Sequence, residues 1–282
     1  MHRFFQCVGL ALLLAPVLSA CRPEAGAPSA GEGRDTAQAA APGTTSATDD
    51  AGLELEDVME SDPRYIIGIS YPPDIERYPG LAAELKRYAD AARGELMDAV
   101  RARDPGDGGG GVPYDLTLSY DVLMDTPAVV AVQAWGTLYT GGAHGNPLVA
   151  RFVWLPQRGE LLRAQALLAD ETGWREVSAF VRESLQVALG HRLDADDLEP
   201  EDRTRLLRSG SRMIEEGTAA ESANFAQFEP VAGAGGRLRA LRFVFPPYQV
   251  GPYSDGIQTV EVPAAVFRSY LAPEYRDLFE AG

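Results

Sequence analysis

Beyond the N-terminal apolar run the chain has two histidines, His144 and His191. His144 lies in Tyr139-Thr140-Gly141-Gly142-Ala143-His144-Gly145-Asn146-Pro147, between two apolar alternating segments. Its glycines let the backbone take positive φ and approach a partner closely. The segment reads either as a binding loop that presents Tyr139, His144 and Asn146 on the pivots Gly141 and Gly142, or as a hairpin turn whose polar side chains bond the local backbone. A second segment, Pro246-Pro247-Tyr248-Gln249-Val250-Gly251-Pro252-Tyr253-Ser254-Asp255-Gly256, stiffens two tyrosines with prolines. Tyr248 and Tyr253 offer rigid amphipathic contact area at small entropic cost, with Asp255 as a rim acid. The alternative is a structural crossover whose tyrosines pack on a sheet edge.

Catalysis has few actors. A Ser-His-Asp arrangement on His144 would make the chain a cell-wall or ester hydrolase, but no Gly-x-Ser-x-Gly elbow or comparable nucleophile setting accompanies it. His191 follows Gly190 and reads as a residue at a helix C-terminus. Zinc needs three or four ligands, more than one loop histidine supplies. The acidic run Asp194 to Glu199 fails as a calcium loop, with Glu199 where glycine is required and Arg205 where glutamate is. The reading is therefore of a non-enzyme with no metal and no cofactor.

These loops need strands to hold them. Tyr65 to Tyr71 reads as a strand, and a helix follows from Pro79, with Leu81, Leu85, Tyr88, Ala92, Leu96 and Val100 along one face. It should stop before Asp104-Pro105 and the glycine run Gly108 to Gly111. Leu116, Leu118, Tyr120 and Val122 alternate as one buried face of a strand. Further strands are expected over 128–139 and 148–155, the three forming an antiparallel sheet. Asp170 looks like an N-cap for a helix that closes at Gly190, and a second helix follows Pro200. Segments 228–232 and 238–245 form a hairpin, 257–262 a last strand, and Pro263 opens a short helix. The fold class is α+β, with antiparallel sheets packed against helices in two consecutive subdomains, 53–145 and 146–282.

The N-terminus supplies an address. Arg3, the apolar run Phe4 to Leu18, and Leu18-Ser19-Ala20-Cys21 form a signal peptide over residues 1–20. The last four residues resemble the bacterial lipobox, which implies acylation of Cys21. The chain is then expected to be exported and lipid-anchored to the cell envelope, on the outer membrane facing the periplasm if the organism has two membranes. Residues 22–52 are Ala, Gly, Ser, Thr and Pro with scattered charge, a composition that does not fold alone. As a tether of about 31 residues they reach about 30 Å on average. After cleavage 24 basic side chains face 41 acidic ones, a formal charge of −17. Such a chain does not bind nucleic acid and attracts basic partners.

Gly-Gly-Ala-His at 141–144, a long helical insert, and Tyr248 to Gly256 together resemble the extracellular region of RsiV-type anti-sigma factors. The same paired domains stand beside the catalytic domain of the peptidoglycan deacetylase PdaC. The resemblance spans Leu53 to Leu271 and implies a non-catalytic envelope module. In RsiV this region is the receptor for lysozyme, so lysozyme or peptidoglycan is the implied partner. No sigma-binding segment ahead of the apolar run and no deacetylase domain are read in this chain, so neither activity is carried over.

Lipidation is testable at one atom. Cys21→Ala is expected to leave an unacylated protein, either unprocessed or released in soluble form. Mass spectrometry of the mature N-terminus decides it, and an unmodified Cys21 on an exported chain overturns it.

Overall fold

A computed structural model describes residues 54–103 and 111–281. The signal peptide, Cys21, the tether and most of the glycine run at 108–111 lie outside the described residues. Those described form two sheets packed with helices, an α+β fold.

The first sheet has strand order β1-β2-β3-β4-β5-β6: β1 (Val58–Asp62), β2 (Tyr65–Ser70), β3 (Tyr114–Asp125), β4 (Val130–Tyr139), β5 (Asn146–Leu155) and β6 (Glu160–Leu161). β1 is an addition to the sequence reading. Its pattern carries no apolar alternation, and it exists because Asp62 accepts the Arg64 N–H at 2.9 Å and turns the chain back onto β2. Helix α1 (Pro79–Ala102) follows, with Leu81, Leu85, Leu96 and Val100 buried as their spacing dictates. It carries the chain back across the sheet, so β2 and β3 pair in parallel, Ile67 beside Leu116. The three strands expected to pair antiparallel, β3, β4 and β5, do so, and β2 joins them in parallel because a helix long enough to recross the sheet lets the next strand start at the same end. The remaining pairs are antiparallel. Tyr120 fastens this layer, its hydroxyl donating to the Leu85 carbonyl at 2.8 Å, and burial pushes its phenol far above the usual range.

After the short α2 (Ala164–Leu167), α3 (Glu171–Ala195) starts where Asp170 accepts the Thr172 N–H at 2.8 Å, the expected cap. It does not close at Gly190 but runs on to Ala195, because Leu189 and Leu193 both bury in the core and tertiary packing outweighs glycine's weak propensity. His191 is accordingly an exposed helical residue rather than a terminal one. Helix α4 (Pro200–Gly217) packs on α3, and the second sheet, β7 (Phe228–Ala232), β8 (Leu238–Phe245) and β9 (Gln258–Pro263), is antiparallel in that order. The short α5 (Ala264–Phe267) follows directly.

β5 belongs to both halves. It is hydrogen-bonded to β4, with Ala134 opposite Ala150, so the first sheet extends past the expected subdomain boundary at 145/146. Phe152 and Trp154 point into the core under α1, while Val153 and Leu155 point into the core shared by α3 and the second sheet. On that second face Arg151 reaches across to β7. Its Nε donates to Glu229 Oε1 at 2.6 Å, and the two side chains are only 7% and 13% exposed. Glu229 also accepts from Arg242, which bonds Glu261, which accepts from Arg239. The charges alternate from the first sheet across all three strands of the second.

Removing one partner of a buried pair strands the other charge, and Glu229→Ala is expected to cost about 3 kcal/mol of unfolding free energy. A fall in the urea midpoint at unchanged slope checks it. A change below about 0.5 kcal/mol, the size of an ordinary surface substitution, would mean the pair does not join the sheets.

Candidate functional site

The glycine-rich loop joins β4 to β5 and is folded on itself. Gly141 and Gly142 sit at φ 105° and 95°, and the Tyr139 hydroxyl donates to the Gly142 carbonyl at 3.2 Å. The Tyr139 ring stands edge-on to Tyr114 of β3, with centroids 6.4 Å apart. This much fits the hairpin reading.

His144 points elsewhere. Its Nδ1 lies 3.1 Å from the Gly145 carbonyl and its Nε2 3.0 Å from the Tyr248 hydroxyl. A carbonyl only accepts, so the proton sits on Nδ1, and Nε2 accepts from the phenol. The Tyr253 ring stacks on the imidazole at 4.2 Å between centroids and 16° between planes, and Tyr248 lies 5.7 Å from Tyr253. Residues about a hundred positions apart thus form one aromatic cluster. Tyr248 is 52% and Tyr253 39% exposed, so the cluster faces solvent.

The tyrosine loop is held from below. Val250 is buried in the second core, and the Gln249 Nε2 donates to the carbonyls of Gly217 and Asn224 at 3.0 and 2.8 Å. A Cβ at Gly217 would collide with the Gln249 carbonyl, so the end of α4 can approach this closely only as glycine. Asp255 is not a rim acid: its carboxylate accepts from Arg192 of α3 at 2.7 Å and is 15% exposed, which makes it a brace. Asn146 stays exposed at the start of β5, opposite Leu138, outside the ring cluster. Gln249, Arg192 and Gly217 are the supports that sequence reading missed. No local pattern marks them, since each acts across tens of residues.

Tyr248 carries strain. Its φ is 75°, a region bulky residues rarely adopt, and it is closed by its N–H donating to the Gly251 carbonyl at 2.9 Å. Both nitrogens of His144 are occupied, one by a main-chain carbonyl and one by the Tyr248 phenol, and among the described residues no carboxylate is hydrogen-bonded to the ring. Among the described residues no three of His, Cys, Asp and Glu are grouped as metal ligands, and no helix is long and apolar enough to cross a membrane.

A family model described as "Protein of unknown function (DUF3298)" matches residues 238–265, which are β8, the tyrosine loop and β9. No curated protein matches the chain. A crystal structure of a DUF3298 family protein from Pseudomonas aeruginosa PAO1 is similar at 16% identity and a TM-score of 0.51, covering 83% of this chain and 99% of that one. A member of the same family from Bacteroides fragilis NCTC 9343 is also similar, at 16% identity and a TM-score of 0.43 over 78% and 93%. The Pseudomonas likeness speaks to the fold alone.

If the left-handed backbone at Tyr248 costs about 1 kcal/mol, Tyr248→Asn should leave the chain as stable as the parent or slightly more so, even though the bond to His144 goes. Urea unfolding reads this. A loss of more than about 1 kcal/mol would show that the ring contacts outweigh the strain.

Proposed function

We propose that this chain is a non-catalytic binding module of the cell envelope, held to the membrane by acylated Cys21, and that it grips a basic protein through the Tyr248–His144–Tyr253 face. The observation that carries this reading is the convergence of the two loops: rings from separate sheets stack, stay partly exposed, and are braced from beneath by Gln249, Val250 and the Asp255–Arg192 pair. Rigid tyrosines offered in this way are what protein interfaces use as anchors. Residues 238–265, where the DUF3298 model matches, contain the tyrosine loop.

The resemblance to the RsiV extracellular region and the mature charge of −17 favour lysozyme, itself basic, over peptidoglycan as the partner. Hydrolysis by His144 has less support. A base whose Nε2 accepts from the Tyr248 phenol, with no serine or cysteine hydrogen-bonded to it among the described residues, and whose Nδ1–H is tied to a main-chain carbonyl lacks the carboxylate that would orient it.

Calorimetry of the full chain with lysozyme tests the reading. Binding should weaken with salt as the attraction is screened. Tyr253→Ala is expected to cost about 2 kcal/mol, roughly thirtyfold in Kd, because it removes the ring that covers His144. Failure to bind lysozyme, or equal binding by the variant, overturns it.

A further inference from the structure

A cleft of about 480 Å³ opens between α1, the edge of β5 and the first turn of α2, with Ala226 and Gln227 on its far side. None of its lining residues belongs to the two loops described above. Its size is that of a small-molecule site. Phe152, Leu162, Ala226 and the ring of Tyr88, which meets Phe152 edge-on at 5.9 Å, give it apolar walls.

The charge along the rim does not balance. Arg151 is matched by Glu229 outside the cleft. Arg87 and Arg163 share a single carboxylate, Glu84, which leaves one guanidinium charge uncompensated in a chain whose formal sum is −16. The uncharged polar lining points the same way. Gln227 Oε1 accepts the Arg151 N–H at 2.7 Å, which fixes the amide, and its Nε2 has no partner among the described residues. Neither has the Tyr88 hydroxyl, whose phenol burial holds above the usual range. The cleft thus offers several donors, and its one carboxylate is already engaged.

From this combination we infer that the cleft is a binding site for an amphipathic monocarboxylate of the medium-chain fatty-acid class. The alkyl body lies against Phe152, Leu162 and Ala226, and the carboxylate completes the pairing of Arg87 and Arg163. An anion there gains charge-assisted hydrogen bonds and offsets the unmatched charge, where a neutral acceptor makes only the weaker bonds.

Titration calorimetry on the full chain with octanoate, octanamide and acetate tests this. Octanoate should bind saturably and at least about tenfold more tightly than octanamide, which lacks the charge, and than acetate, which lacks the body. Arg87→Gln with Arg163→Gln should lose at least about tenfold for octanoate and leave octanamide unchanged. Ala91→Trp, at an exposed position of α1 that lines the cleft, should block it with every charge in place; circular dichroism checks that both proteins fold. No saturable heat with octanoate, equal binding of octanamide, or full octanoate affinity in either folded variant overturns the inference.

Discussion

The ion pair between Arg151 and Glu229 is the constraint on which the rest of this architecture depends. Two separately laid sheets meet there, and the meeting has to be specific as well as close. Val153 and Leu155 supply apolar contact beside it, yet apolar contact alone would tolerate sliding. A guanidinium and a carboxylate, both nearly buried, do not tolerate it, because any shift leaves a desolvated charge without its partner. Such a pair contributes little net stability over a well-packed apolar substitute, and its value lies in fixing one arrangement. Here the fixing is reinforced from both sides: the Arg151 N–H donates to Gln227, and Glu229 is held in turn by Arg242.

The joint sets the geometry of the aromatic cluster. Going back along β5 from Arg151, His144 is about seven residues away; going forward along β8 from Arg242, which faces Glu229 in the register, Tyr248 is about six residues away. At about 3.3 Å per extended residue the strand parts of the two paths, Arg151 to Asn146 and Arg242 to Phe245, are roughly 16 and 10 Å, and the loops complete them. They leave the same network and end at one hydrogen bond of 3.0 Å, Tyr248 hydroxyl to His144 Nε2. A one-residue slip in either sheet would move one end of that bond by several ångströms and turn its side chain to the other face.

What the sequence made legible follows from how far each signal reaches. Helix α1, the N-cap at Asp170, the hairpin of β7 and β8 and the alternation of β3 through Leu116, Leu118 and Tyr120 are written in contiguous residues, and the structure has them; Val122, expected on the same buried face, is exposed because the register of β3 against β4 shifts between Val122 and Met124. The glycines at 141 and 142 and the tyrosines at 248 and 253 were likewise conspicuous as loop chemistry. The parallel pairing of β2 with β3 was not, because local alternation is the same in either direction. Nor was the continuation of α3 through Gly190, which depends on where Leu189 and Leu193 bury. Asp255 looked like a surface acid only because Arg192, its partner at 2.7 Å, stands 63 residues away. Arg151 gave no signal at all: a lone arginine in an apolar strand reads as an outward residue until the second sheet is laid upon it.

The strain at Tyr248 gains a meaning once these constraints are combined. A tyrosine at φ 75° in a loop free to relax would drop into an ordinary conformation, since about 1 kcal/mol is enough to repopulate it. This loop is not free. Val250 is locked in the core and Gln249 is pinned to two carbonyls, so the backbone just before them has little choice of direction. The ring is carried out over His144 and beside Tyr253 as a consequence. Side-chain ordering costs about 0.5–1.5 kcal/mol for each group immobilised at an interface, and rings already stacked have met much of that cost in the free protein. Strain in the backbone and order in the side chains are thus two sides of one arrangement: the fold accepts an unfavourable torsion at one residue and holds a partly exposed aromatic surface already ordered in the free protein.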